Sequence, residues 1–207
     1  MFYFVKTPWW IKKLYPSCIW EMQTDEKVLY LTFDDGPHPR ATSFVLNELE
    51  KYNAKATFFC VGKNVTQHND IYRRILNEGH HAGNHTFNHL NGWKVSDMAY
   101  FKDIAEARKN IDSALFRPPY GKISKFQLRH LADDFKMKVV MWSVLSGDFD
   151  TAVPGESCLK NVMLSAKPGS IVVFHDSEKA WTNLAYALPK VLMHFAGQGY
   201  RFEKINL

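Results

Sequence analysis

Cysteine is scarce in this 207-residue sequence: Cys18, Cys60 and Cys158 are odd in number and far apart. No CxxC pair occurs, which argues against a cysteine zinc module and a disulfide framework. The three thiols are expected to be small buried apolar groups. Long apolar runs are missing too. The first twenty residues are apolar, but Lys6, Pro8, Lys12, Lys13 and Pro16 interrupt them. No stretch reaches the ~20 residues of a membrane span, and none has the build of a cleavable leader. The absence of low-complexity tracts, repeats and Gly/Ser linkers excludes fibrous and disordered classes. Charge excess is small, with 26 Lys plus Arg against 21 Asp plus Glu, net +5 and scattered. No nucleic-acid partner is expected. Nor is there a GxGxxG: the turn after the first strand reads Asp34-Asp35-Gly36-Pro37, so dinucleotide binding has no support.

Hydrophobic residues make up 46% and aromatics 14%, enough for one domain with a substantial core and a lined cleft. Residues 1–24 are expected to form an N-terminal strap and 25–207 the functional domain. For the first segment two readings compete. One is an interfacial anchor, with Trp9, Trp10 and Ile11 against lipid and the lysines against head groups. The other is a strap packed on the domain or closing its bottom. The short, proline-bounded sequence favours the strap, so membrane association is the second choice.

From residue 28 on, strand-like and helix-like stretches alternate. Apolar runs at 28–33, 56–61, 80–84, 115–117, 138–144, 170–174 and 200–205 predict strands. Helical spacing occupies 39–52, 69–77, 98–111, 123–135, 159–166 and 184–195. Repeated βα units imply an α/β fold with a mostly parallel sheet and right-handed crossovers. The chain is short for eight units, so an incomplete barrel of six or seven strands fits best. A flat doubly wound sheet is the alternative.

In such folds ligands bind at the C-terminal ends of the strands, and polar residues cluster at five of them. Asp34 and Asp35 follow an apolar strand directly; two carboxylates in a tight turn repel unless a cation or a base role separates them. His85-Thr86-Phe87-Asn88-His89 places two imidazoles on one face if the segment coils into a helical turn. Two His plus one carboxylate leave the open position of a catalytic metal site. His81 stands four before His85 and offers a competing pair. Arg117-Pro118-Pro119-Tyr120-Gly121 holds an Arg extended, suited to clamping a carboxylate, and Tyr120 offers a backbone N–H to an oxyanion. Asp148 ends a strand among aromatics and is suited to orienting a histidine. His175, after the apolar run 171–174 and beside Asp176, suits a general acid.

Taken in order, TFDDG at 32–36, HTxxH at 85–89, RPPYG at 117–121 and FHD at 174–176 resemble the polysaccharide deacetylases of the NodB-homology group, carbohydrate esterase family 4. The resemblance runs from about residue 27 to 205. It implies a distorted, incomplete (β/α)7 barrel and a divalent metal, most often zinc, sometimes cobalt or nickel. By the same resemblance Asp35, His85 and His89 bind the metal, and Asp34 is the general base. Arg117 tethers Asp34, and the Tyr120 backbone helps to stabilise the oxyanion. His175 is the acid that protonates the leaving amine, oriented by Asp148. Val173 and Phe174 shape the acetyl pocket. Leu145 and Phe149 depart from the family's fourth motif, where an acid and a Trp are expected, which bears on the sugar-facing wall.

The expected activity is therefore metal-dependent removal of N-acetyl groups from N-acetylhexosamine units of a peptidoglycan- or chitin-like glycan, by a monomer. Competing readings are a deacylase of a small non-sugar amide and a non-catalytic carbohydrate-binding relative. The compartment stays open between cytoplasm and cell envelope.

Overall fold

The computed structural model describes residues 3–207. In chain order its elements are α1 (Trp9–Leu14), β1 (Val28–Asp34), α2 (Ala41–Glu50), β2 (Thr57–Cys60), α3 (Gly62–Gln67), α4 (Asn69–Asn77), β3 (His81–Asn84) and α5 (Asp97–Arg108). Then come β4 (Leu115–Phe116), α6 (Lys125–Asp133), β5 (Lys138–Val139), β6 (Val144–Leu145), α7 (Gly155–Ser165), β7 (Ile171–His175), α8 (Trp181–Gly197) and β8 (Arg201–Phe202). Seven parallel strands in the order β5-β4-β3-β2-β1-β7-β6 curl into an open barrel, and β8 pairs with the start of β1. This is the incomplete (β/α)7 barrel that the sequence implies. Among the described residues no helix is long and apolar enough to cross a membrane.

The period-two alternation of a strand decides what each residue does. In β1, Leu29, Leu31 and Phe33 face the helices and join the main core; Phe33 stacks on Phe58 of β2 and Phe174 of β7, with centroids 5.1 and 6.1 Å away. The intervening Thr32 and Asp34 therefore face the barrel interior. In β7, Val172 and Phe174 belong to the same helix-facing core, which leaves Val173 and His175 inside. This corrects the expectation for Phe174: it packs against helices and has no access to a substrate pocket.

Two further differences have local causes. The stretch 138–144 is two short strands rather than one, because Arg117 donates to the carbonyls of Val140 (3.1 Å) and Met141 (2.9 Å) and ties up the backbone between them. A short helix, α3, follows β2 where none was expected; its first residue is Gly62, and a Cβ there would stand 2.7 Å from the Phe87 ring.

β5 and β6 end the sheet order and leave a seam between them. The N-terminal segment lies along it. Leu145 donates to Val5 O (2.8 Å) and Thr7 to Ser143 O (3.0 Å) on one side. On the other, Ile19 donates to Val139 O (2.9 Å) and Met141 to Ile19 O (2.7 Å). The segment thus satisfies backbone groups on both exposed edges, which would otherwise be open to pairing with other chains.

Candidate metal centre and active site

The first two carboxylates sit at the end of β1. The register sets Asp34 directly opposite His175 of β7. The next residue, Asp35, has φ +82°, so the chain turns sharply and the two side chains part. Gly36 completes the turn against Asp176: the Gly36 N–H donates to Asp176 Oδ1 at 3.0 Å, and a Cβ at Gly36 would lie 2.0 Å from Asp176 Oδ2. Thr42 donates to the other oxygen of Asp176. Burial raises the Asp176 carboxyl to about 8, with Asp35 adding to the effect against the hydrogen bonds that it accepts. Sequence reasoning noted Asp176 only as the neighbour of His175. Here it is the brace of the Asp35 turn, and the pairing of a glycine with a polar residue after an apolar strand was the available signal.

His85 and His89 come together without the expected helical turn. Thr86 and His89 adopt φ +62° and +57°, and the loop is pinned from behind. Asn84 Oδ1 accepts from Thr86 N (2.8 Å), while the Asp103 carboxylate accepts from Phe87 N and Asn88 N (both 2.9 Å). Sequence reasoning gave Asp103 no role, because it lies within a helical pattern. The two imidazole centroids are 5.0 Å apart. His85 Nε2 stands 3.7 Å and His89 Nε2 3.2 Å from Asp35 Oδ1, and one ligand atom from each of the three lies within 4.8 Å of the others. His81 is spent elsewhere: its Nδ1 meets Ile205 O at 2.7 Å.

The donor set fits a divalent ion. His85 Nδ1 lies 2.7 Å from Arg117 O, which makes that nitrogen the donor and leaves Nε2 with its lone pair toward Asp35. Burial drives the His85 imidazole down to about 4, so it is neutral, the ligating form. Asp35 Oδ1 is buried and has no hydrogen-bond partner; His89 Nε2 at 3.2 Å is within ion-pair reach but not hydrogen-bond geometry. A buried anionic oxygen without a donor is costly unless a cation meets it. Burial raises the Asp35 carboxyl, but the imidazoles of His89, His175 and His85 outweigh burial and hold it below the ordinary carboxylate range.

Arg117 is fully buried inside the barrel, stacked 4.1 Å over the Phe59 ring. Its Nη1 donates to Asp34 Oδ1 and Thr32 Oγ1, both at 2.7 Å. Burial lowers its pKa and Asp34 opposes that; a guanidinium stays charged in either case. The geometry thus fixes Asp34 as the tethered carboxylate. Tyr120, at φ +61°, holds its ring 4.7 Å from that of His89 and is more than half exposed, so the loop after β4 forms one lip of the site.

His175 forms the opposite lip. Its Nδ1 lies 2.8 Å from Asp148 Oδ1, and its backbone N–H donates to Asp148 Oδ2, also at 2.8 Å. Ser146 Oγ holds the same carboxylate at 2.9 Å. Burial alone would lower the His175 pKa, but Asp148, with Asp35 and Asp34, raises it to about 9. Because this lies above the unfolded value near ~6.5, the pair stabilises the fold fully below about 6.5 and the contribution is lost as pH rises through about 9. In metal-free protein the His175 ring protons are expected to titrate near 9 by NMR, and Asp148→Asn to return them toward ~6.5; an unshifted titration in the variant would refute Asp148 as the cause. Phe149 stacks edge-on to His175 at 5.1 Å, and buried Leu145 lies in β6.

All eight candidate side chains thus gather at one edge of the barrel. Residues 21–140 match the family model described as polysaccharide deacetylase, more than half of the chain. The chain belongs to the polysaccharide deacetylase family. A peptidoglycan-N-acetylglucosamine deacetylase of Bacillus cereus is 37% identical over 203 residues, covering 94% of this chain and 95% of that protein. A chitooligosaccharide deacetylase of Azorhizobium caulinodans is 33% identical over 73% of this chain and 75% of its own length. The crystal structure of a peptidoglycan N-acetylglucosamine deacetylase superposes with a TM-score of 0.87 at 30% identity, covering 96% of this chain and 95% of the other. Polysaccharide deacetylation is the activity that these relatives support.

Proposed function

We propose that the protein hydrolyses the N-acetyl amide of N-acetylhexosamine units in a peptidoglycan- or chitin-like glycan, using a divalent ion on Asp35, His85 and His89, zinc in the first place and cobalt or nickel as alternatives. The observation that carries the reading is the register that sets Asp34 beside His175, with the three ligating side chains at the same strand ends.

Amide hydrolysis needs a proton taken from water, an electrophilic carbonyl and a proton given to nitrogen. A divalent ion, when bound, supplies a Lewis acid that acidifies water and polarises the carbonyl. Asp34 has Oδ1 committed to Arg117, so its second oxygen takes the proton of the attacking water. The Tyr120 backbone N–H supports negative charge building on the amide oxygen. His175, with Nδ1 occupied by Asp148, gives the proton on Nε2 to the amine as the C–N bond breaks and acetate leaves. A binding protein needs no such acid and base, and their buried charges would then be a cost without return. Two neighbouring carboxylates that share one strand end also cannot flank a glycosidic bond at the ~5–9.5 Å spacing of glycosidases. The exposed ring of Tyr120 and the half-buried Phe149 offer apolar faces of the kind that pack on sugar rings.

The test is acetate release from chitin oligomers and peptidoglycan fragments beside a panel of small acetamides. Faster release from the glycans is expected; small acetamides turned over faster than any glycan would overturn the substrate class.

A further inference from the structure

The N-terminal segment closes the barrel seam and still presents a large apolar surface to solvent. Trp9 is 68% exposed, Trp10 46%, Leu14 51% and Phe4 40%. Phe4, Trp10 and Leu14 form a strip, and Trp9 precedes Trp10 on the same helix. The Phe4 and Trp10 rings meet edge to face at 6.3 Å, and Trp10 and Leu14 lie one helical turn apart on α1. Leu14 is also on the rim of a groove of about 630 Å³, whose apolar lining includes Leu128, Met137 and Leu207. Looseness does not explain the exposure. The opposite face of α1 is anchored, with Ile11 and Tyr15 packed on the second core cluster and the flanking backbone bonded to both edge strands.

The charge around the strip is mostly positive. Lys6 and Lys13 are exposed beside it, Lys13 Nζ lying 4.9 Å over the Trp9 ring. Exposed Lys125, Arg129 and Lys138 rim the groove, against one exposed acid there, Asp133. Lys12 is neutralised by Glu21 at 2.7 Å. A soluble surface seldom keeps two tryptophans in one patch without a partner. Indole rings beside lysines, on a short helix lying flat on the surface, are complementary to the interface of an anionic bilayer: the rings suit the head-group level and the lysines the lipid phosphates.

We propose that this face docks the protein on an anionic phospholipid bilayer. The groove involves the start of β5 and the C-terminal residue Leu207, at the end of the barrel away from Asp34 and His175. The Phe4 end of the strip reaches toward the site, since the neighbouring Tyr3 ring lies 5.2 Å from Phe149, which meets His175 at 5.1 Å. The segment packs on the domain along the barrel seam, and the proposal gives its outer face the interfacial role that was the second choice from sequence. The proposal does not depend on the reaction catalysed.

Co-sedimentation tests it, with vesicles of pure phosphatidylcholine and of phosphatidylcholine with phosphatidylglycerol at about 7:3. The protein is expected to pellet with the anionic vesicles, to be released by high salt, and to ignore the neutral ones. The exposed double substitution Trp9→Ala/Trp10→Ala is expected to weaken vesicle binding at least about tenfold, while acetate release from a soluble chitin oligomer stays unchanged. Lys13→Gln/Lys125→Gln/Lys138→Gln is expected to remove the preference for anionic lipid. No vesicle binding by the unmodified protein, or undiminished binding by the tryptophan variant, overturns the proposal. So does retention on insoluble peptidoglycan that depends on Trp9 and Trp10 without any on vesicles, which would assign the strip to a glycan.

Discussion

Replacing His85 by alanine is expected to remove the bound ion and the turnover together. The side chain is buried, its Nδ1 is committed to Arg117 O, and its Nε2 points at Asp35. Alanine offers no ligand atom, so the proposed set of protein ligands drops from three to two. The ion content is expected to fall from about one per chain to near none, and acetate release by roughly 10³-fold or more, because the Lewis acid contributes several kcal/mol to the barrier. Mass-spectrometric metal analysis and acetate release on the same preparation check it. His89 is more open, at 27% side-chain exposure, so His89→Ala is expected to weaken the ion's hold less. Wild-type metal content in the His85 variant with unchanged activity would remove the site from the account.

Asp34→Asn is expected to do the opposite to the ion and nearly as much to the rate. Asparagine still accepts from Arg117 Nη1, so the pair keeps its hydrogen bond, and Asp35 with both histidines is untouched. On the proposed mechanism the lost function is proton acceptance, worth about 10²–10⁴-fold. A structural cost accompanies it: the buried guanidinium loses its carboxylate partner and keeps only neutral acceptors, the new amide oxygen and those on Thr32, Val140 and Met141. Weakening a buried charge-assisted bond costs roughly 1–3 kcal/mol, visible as a lower denaturation midpoint. Metal analysis separates the two effects. Loss of the ion in the Asp34 variant would make Asp34 a ligand rather than a base; full activity would deny it both roles.

Much of this was legible in the sequence because strand ends advertise themselves. Apolar runs broken by Asp34, His85, Arg117 and His175 located the functional edge, and the βα alternation located the barrel. The parts that could not be read depend on partners distant in sequence. Arg117 divides the 138–144 stretch by taking its carbonyls, which no local pattern records. The histidine loop reaches its geometry through left-handed residues held by Asn84 and Asp103, not through a helix, so His85 and His89 come together by a different backbone from the one their spacing suggested. Phe174 was placed in the pocket by its position in a motif; strand alternation, a simpler rule, puts it among the helices. Asp176 entered the sequence reading only as the neighbour of His175, and it braces the Asp35 turn.

The central claim is that one divalent ion joins Asp35, His85 and His89. Anomalous diffraction at the zinc edge from crystals grown with stoichiometric zinc tests it most directly. A single strong peak about 2.0–2.2 Å from Asp35 Oδ1, His85 Nε2 and His89 Nε2 is the predicted result. A peak at other side chains, or none between these three, would contradict it.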